Sequence, residues 1–437
     1  MFMENRYDKY KDSGIAWIGE IPEHWEVRKL KNVCSTNNAS LSDKTSKEFE
    51  FDYVDIGSVS FELGIHKTEK YTFQNAPSRA RKIARLGDII VSTVRTYLRA
   101  IDIINSEEKE KYIYSTGFAV LSPLKNILSE FMIYICRSEY FTNQVSIYST
   151  GINYPSINDT ALKMINIVMP HLSEQQSIAY YLDQKCGEID KLITLQEEMI
   201  TKLQSYKQSV ITEAVTKGLN KNVPLKDSGI EWIGEIPEHW EVKRLKYFGN
   251  NYNGLTYSPN DICSSQEGII VLRSSNIKDN KLCFDDNVYV NKEIPTKLLV
   301  NKGDILICSR NGSASLIGKA ALIETDIKAT FGAFMMIFRG NNICHKYLYY
   351  IVTSCISQYK WLFTTATINQ LTSSMLGEIF APFICNKLEQ QSIADYLDQR
   401  CSEIDELISI KQQKIEKLKE YKKSLIFECV TGKRKVS

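Results

Sequence analysis

Reactive side chains at usable spacings are scarce in this chain. Its five histidines, His24, His66, His171, His239 and His345, show no metal-ligand spacing. Its eleven cysteines are scattered, and none forms a CxxC pair. A phosphate-cradling loop needs GxxxxGK followed by Ser or Thr, so that a hydroxyl meets the cation. The nearest stretch, Gly312 to Ala320, is one residue too long and puts Ala320 where the hydroxyl belongs. GxSxG, HExxH and the Asn-Pro-Pro-aromatic or Asp-Pro-Pro-Tyr signatures of amino-methyltransferases are missing from the sequence. We therefore expect no covalent chemistry, and no metal or cofactor held by this chain. What remains is electrostatic. Arg79, Arg81, Lys82, Arg85, Arg95 and Arg99 cluster in the first half. Lys278, Lys281, Lys292, Lys297, Lys302, Arg310 and Lys319 spread through the second. Such groups can neutralise phosphates, and a plain solvated surface accounts for them too.

The elements that carry these residues are written twice. Residues 12–31, DSGIAWIGEIPEHWEVRKLK, return at 227–246 as DSGIEWIGEIPEHWEVKRLK. The block EQQSIAYYLDQKCGEID at Glu174 returns as EQQSIADYLDQRCSEID at Glu389, and both pairs are offset by 215 residues. A duplicated stretch of this length is a structural unit, so the chain is two tandem half-molecules. Between the shared blocks, residues 32–171 and 247–386 have almost nothing obvious in common. Constant frames around variable middles point to two interchangeable readers on one fixed scaffold.

Each half runs in the same order: a turn-rich lead-in segment, a variable region, a long helix. The variable regions alternate apolar β-rich runs, such as 51–60, 87–94, 268–272 and 303–309, with helical stretches at 129–141 and 345–359. That mixture predicts a compact α/β domain with a small curved sheet. Gly87-Asp88 and Gly303-Asp304 each set a turn before a hydrophobic strand. Ser173 gives the first long helix a capping signal, and Gly218 and Gly432 close the two helices. Each helix should hold about 43 residues and extend roughly 65 Å. Apolar residues recur in alternating steps of four and three: Ile189, Ile193, Ile200, Leu203 and Val210 in the first, Ile404, Ile408, Ile415, Leu418 and Leu425 in the second. Gln196 and Lys207, and their counterparts Lys411 and Lys422, complete the seams. This is coiled-coil periodicity, and antiparallel pairing of the two helices is expected over separate packing. The second helix ends much as the first continues into the next lead-in segment, so the design is nearly circular.

These blocks resemble the repeated segments of specificity subunits from type I restriction–modification systems, in the same order along the whole chain. The resemblance implies an α+β protein with a pseudo-two-fold internal repeat. Two globular α/β target-recognition domains would be joined by two long antiparallel coiled-coil helices. Residues 1–171 would hold the lead-in segment and first recognition domain, 172–218 the first helix, 219–386 the second lead-in and recognition domain, and 387–437 the second helix and tail. Each domain would read one part of a split, asymmetric sequence in double-stranded DNA, with the helices as a ruler for the gap. The constant segments would dock two methyltransferase subunits, and restriction subunits would join them. S-adenosylmethionine, ATP and Mg²⁺ would belong to those partners.

On that reading the expected DNA contacts lie in loops beside strand ends, where recognition residues usually sit. They are Arg95, Tyr97, Arg99, Asn153 and Tyr154 in the first half. In the second they are Arg273, Ser274, Asn276, Arg310, Asn311, Ser313, Asn369 and Gln370. For subunit docking we expect Trp17, Trp25, Gln175 and Gln176, with Trp232, Trp240, Gln390 and Gln391; intramolecular packing is the alternative for the tryptophans. Composition bounds the rest. A net charge of +2 neither advertises nor excludes a DNA binder, since phosphate contacts need local patches. No apolar run approaches the ~20 residues of a membrane span. The N-terminus is polar and charged, unlike a signal peptide. With unpaired thiols, this favours a reducing cytoplasm. A solitary tandem DNA-binding protein and a coiled-coil scaffold with protein-binding heads are the rival readings.

Overall fold

The computed structural model describes residues 6–265, 267–363 and 369–436. The chain forms two compact units, Met1–Glu197 with Gln412–Ser437, and Glu198–Lys411. Unit 1 is built on a four-stranded antiparallel sheet in the order Ile101–Ile103, Ile89–Ser92, Phe118–Pro123, Cys34–Thr36. Unit 2 repeats it with Ala320–Leu322, Ile305–Cys308, Met335–Gly340, Gly249–Asn253. The central strands, IIVS and ILIC, are buried along their whole length, which is why they read as unbroken apolar runs. A second sheet in each unit keeps one parallel pair, Glu50–Val54 with Ile113–Ser115 and Ile269–Leu272 with Ala329–Phe331. The outer strands of these second sheets differ: unit 1 adds Ala39–Ser40 and Ala80–Ile83, unit 2 adds Ile262–Cys263. Topology is thus shared where side chains are buried and diverges at the edges.

The turn preceding each central strand is held by a buried carboxylate. Gly87 and Gly303 take φ of +87° and +94°, a region open to glycine at no steric cost. Asp304 accepts from Arg339 twice at 2.8 Å and from the Asn301 amide at 2.7 Å. Asp88 accepts from the Arg85 amide at 2.8 Å. Helical packing on the sheets differs from the sequence expectation in one place. The stretch 129–141 is two helices, Ser129–Arg137 and Glu139–Ile147, broken where Ser138 turns extended and its hydroxyl donates to Ile135 O. Its partner, His345–Gln358, is a single helix.

The long helices span Leu172–Lys217 and Lys387–Val430. Ser173 lies inside the first turn and not at the cap, while Asn386 caps the second helix by accepting from the Leu388 amide at 2.9 Å. Every seam position is buried or half-buried, among neighbours that are mostly exposed. Within each unit the helix segments run antiparallel. In unit 1 Lys422 Nζ meets the Asp190 carboxylate at 2.7 Å; in unit 2 Lys207 Nζ meets Asp405 at 2.7 Å. The two pairs are repeat equivalents. Each turns a polar seam residue into a register-fixing contact. Among the described residues no helix is long and apolar enough to cross a membrane.

Candidate nucleic-acid interface

The polar letters of the duplicated helix motif are anchors, and this corrects part of the docking expectation. Glu174 accepts from Trp25 Nε1 at 3.0 Å and from Tyr7 OH at 2.5 Å, with His24 Nε2 at 3.0 Å. Burial and the neighbouring carboxylate push the Tyr7 phenol well above its usual range. Glu389 repeats the clamp with Trp240 Nε1 at 3.0 Å and His239 Nε2 at 3.1 Å. Trp25 and Trp240 are fully buried in their units' cores, so neither offers a surface to a partner. Gln175 is buried too. Its Oε1 accepts from the Leu128 amide at 2.9 Å, and its Nε2 donates to Pro170 O and Asn126 O. Gln390 does the same for the Cys344 amide and Ile384 O. Both glutamines satisfy an otherwise orphaned helix N-terminus. Asp183 and Asp398 accept from Tyr134 OH and Tyr350 OH at 2.5 and 2.8 Å. Sequence reasoning missed Glu174, Glu389, Asp183 and Asp398 as functional anchors, although their duplication marks them. Trp17, Gln176 and Gln391 remain exposed, and Trp232 is half-buried against unit 2's core.

A second pair of elements meets at one end of each main sheet. In unit 1 the loop leaving strand Ile89–Ser92 bridges the loop before residue 158. Val94 pairs with Ser156, and the Ile157 amide donates to Thr93 O at 2.9 Å. In unit 2 Arg310 pairs with Gln370, and the Leu371 amide donates to Ser309 O at 2.8 Å. The same backbone joint therefore carries different side chains in the two units.

Around the first joint, Arg95 and Arg99 both adopt left-handed φ, +52° and +49°, flanking the short helical turn Thr96–Leu98. Non-glycine residues there are strained, and such strain collects at functional sites. Thr96, buried, ties the turn down through Ser149 Oγ at 3.0 Å. Arg95 lies over the Tyr154 ring at 5.3 Å and Arg99 over Phe61 at 5.9 Å. Arg95, Tyr97, Asn153 and Tyr154 are exposed, and Arg99 is half-buried. A cavity of about 360 Å³ opens beside Tyr97 and Arg99, walled by Ile56, Phe61 and His66.

Around the second joint lies a larger cleft of about 1450 Å³. Arg273, Ser274, Arg310, Asn311, Asn369 and Gln370 all line it, with Tyr257 and Phe334 as aromatic walls. Asn311 Nδ2 donates to Ser274 Oγ at 3.3 Å, fixing one loop on the other. Ser313 is exposed on the same loop, its hydroxyl 2.8 Å from Ser315 Oγ. Two expectations change. Asn276 is fully buried, accepting from the Arg273 amide and donating to Cys283 O and Asp286 O, so it shapes the loop and cannot reach a ligand. Arg273 is engaged by Asp286 at 2.8 Å, so its charge is already paired within the loop. The walls Phe61, His66, Tyr257 and Phe334 were not foreseen. Placing 55–62 against 273–276 would have flagged Phe61, since both stretches form a capped turn after a strand.

Two similar domains, each carrying polar loop residues and a loop-lined cavity near one end of its main sheet, define a tandem recognition protein. The description "Type I restriction modification DNA specificity domain" fits residues 22–205 and again 237–420. The chain belongs to that family, whose members confer DNA specificity and do not catalyse the reaction. It is 28% identical to a specificity subunit assigned to the type I restriction enzyme MjaX of Methanocaldococcus jannaschii, across 96% of each chain. It is 27% identical to the EcoKI specificity subunit of Escherichia coli K12, over 70% of this chain and 66% of that one. Among solved structures, a chain from a study of type I restriction–modification complex assembly shares the fold at a TM-score of 0.75. That chain is 22% identical, over 94% of this one and 99% of its own length. The HsdS subunit of Thermoanaerobacter tengcongensis follows at a TM-score of 0.50, 22% identical over 94% and 98%.

Proposed function

We propose that this specificity subunit reads an asymmetric, bipartite site in double-stranded DNA, one part with each unit. Residues 1–171 and 219–386 carry the recognition domains. The helices within 172–218 and 387–437 set the gap between the half-sites. The observation that supports this best is the joint built twice on one topology with different side chains at its surface. Positioning contacts come from cations such as Arg95 and Arg99, and base contacts from the polar loop residues around each joint. Two methyltransferase subunits and the restriction subunits dock on the constant segments, where Trp17, Gln176 and Gln391 are exposed. S-adenosylmethionine, ATP and Mg²⁺ act on those partners. The complex works in the cytoplasm, where the unpaired thiols stay reduced.

The test is a methylome. The chain is co-expressed with its methyltransferase subunit in a methylation-free host, and modified adenines are mapped. A split, asymmetric motif with a fixed gap is expected; a continuous or palindromic motif refutes the two-reader arrangement. DNA affinity should also fall steeply between 50 and 200 mM salt.

A further inference from the structure

Resting on that reading, we infer that Arg310 and Gln370 act as one donor-dominated reading unit for a guanine in the half-site taken by unit 2. Arg310 Nη2 donates to Gln370 Oε1 across the backbone joint, and both side chains face the large cleft. A guanidinium has no acceptor, so chemistry alone dictates that the amide turns its oxygen to Arg310. One of that oxygen's two lone pairs is then committed, and the oxygen is held facing the guanidinium. A glutamine reading adenine needs its oxygen for the N6 amino group and its nitrogen for N7. For Gln370 to read adenine in this way its oxygen would have to be shared between the guanidinium and N6, which disfavours adenine. Among the described residues no group accepts from its Nε2, which is left to donate, beside the remaining N–H groups of Arg310. A surface dominated by donors fits an edge of acceptors. In the major groove that edge is guanine, with O6 and N7, for Arg310. Beside it a purine N7 or a thymine O4 suits the amide, and the N4 amino group of cytosine is disfavoured at both places.

The fold does not require the pair. Unit 1 makes the same bridge with Val94 and Ser156 and the same flanking hydrogen bond, so backbone architecture is satisfied without a guanidinium or an amide. Arg310 is exposed and Gln370 half-buried, so burial does not explain them either. The side chains at this joint are free to differ, and their chemistry is what the cleft displays.

The experiment compares methylomes, and sites selected from randomised duplexes, for the intact chain with its methyltransferase subunit and for three variants. The unaltered complex should yield a second half-site containing a guanine. Arg310→Ala should lose discrimination at that base pair by roughly 5- to 150-fold, with the first half-site and the gap unchanged. Gln370→Glu keeps an acceptor for Arg310 but removes the donor, so guanine preference should persist while the neighbouring position relaxes. The double variant R310V/Q370S copies the pair already accommodated in unit 1, so it should fold and should lose both preferences. A second half-site without a G·C pair overturns the inference. So does an unchanged selected motif in R310V/Q370S, or loss of methylation with the selected motif intact. A wild-type complex that selects no split motif overturns the underlying two-reader arrangement itself.

Discussion

Replacing Trp25 by alanine separates an anchoring role from a docking one. Trp25 is wholly buried, its ring beside Tyr7 at a centroid distance of 5.9 Å and its Nε1 bonded to Glu174. Removing such an aromatic costs about 3–5 kcal/mol for the lost contacts and the cavity. At about 2–4 °C per kcal/mol for a unit of this size, unit 1 should melt roughly 10 °C lower. Trp25→Phe keeps most of the volume and loses the hydrogen bond to a carboxylate, worth about 1.5–3 kcal/mol. The low end applies, because Glu174 keeps Tyr7 and His24 as partners. Trp17→Ala is the control: an exposed ring should matter by no more than about 0.5 kcal/mol. Calorimetry gives the stability, and assembly with the methyltransferase subunit, measured well below the transition, gives the docking. Trp25→Ala should assemble normally in the cold. Unchanged melting with lost assembly would refute the anchoring argument and return Trp25 to the interface.

Four other outcomes can be checked. One helical turn inserted into the first long helix near residue 217 adds ~6 Å, and should widen the gap by one to two base pairs with both half-sites unchanged; altered half-sites in the methylome would count against a ruler. Gly432→Ala should cost more than Gly14→Ala. Both have φ of +71°, but a Cβ at 432 would lie 2.3 Å from Pro22 Cδ, whereas nothing lies within 4 Å at 14; paired urea melts read the difference, expected to exceed ~1 kcal/mol. Thiol reactivity at pH 8 should be confined to exposed positions such as Cys385, because burial pushes Cys186 up to about 11 and Cys34 and Cys429 to about 12. Mass spectrometry after alkylation would show it, and modification of folded Cys34 would contradict it. Reversing Lys207 to Asp should cost under ~1 kcal/mol, since Asp405 is half exposed, and the swap with Asp405→Lys should recover it in thermal melts.

Much of the fold was legible because repetition and periodicity survive in one dimension. The long helices differ from their expected limits by a few residues, and the seam follows the three-and-four spacing to Val210 and Leu425. The loops named in each half come together: Val94, after one central strand, meets Ser156, and Arg310, after the other, meets Gln370. What a sequence does not carry is the direction a polar side chain takes. Gln175 and Gln176 are adjacent and identical, yet one is buried on backbone groups and the other faces solvent. A rotation of about 100° per helical residue separates them. Asn276 reads as a loop amide and turns inward to hold three groups of its own loop. The break at Ser138 rests on one hydroxyl choosing a local carbonyl.

The anchors explain how variable domains can be exchanged on a constant frame. Glu174 and Glu389 hold residues of their own lead-in segments, which are constant as well. Gln175 and Gln390 reach into the variable region but touch only backbone groups, the Leu128 and Cys344 amides, so they impose no side chain there. Asp183 asks for one tyrosine, Tyr134 on Ser129–Arg137, and Asp398 for Tyr350 together with Lys346 on His345–Gln358. None of these contacts involves the loops at the joint. A foreign variable region that places a helix start over Gln175, a tyrosine over Asp183 and a strand against Glu26–Lys29 therefore satisfies these contacts with the frame, whatever its cleft displays. Exchanging residues 32–171 for such a region should change one half-site and leave the other and the gap alone. The same exchange with the tyrosine replaced by phenylalanine should keep the new half-site and lose about 0.5–1.5 kcal/mol of stability, because the carboxylate it gives up is exposed to solvent. If the methylome of that chimera changed at both half-sites, recognition in the two units would be coupled, and the frame would be part of the reader.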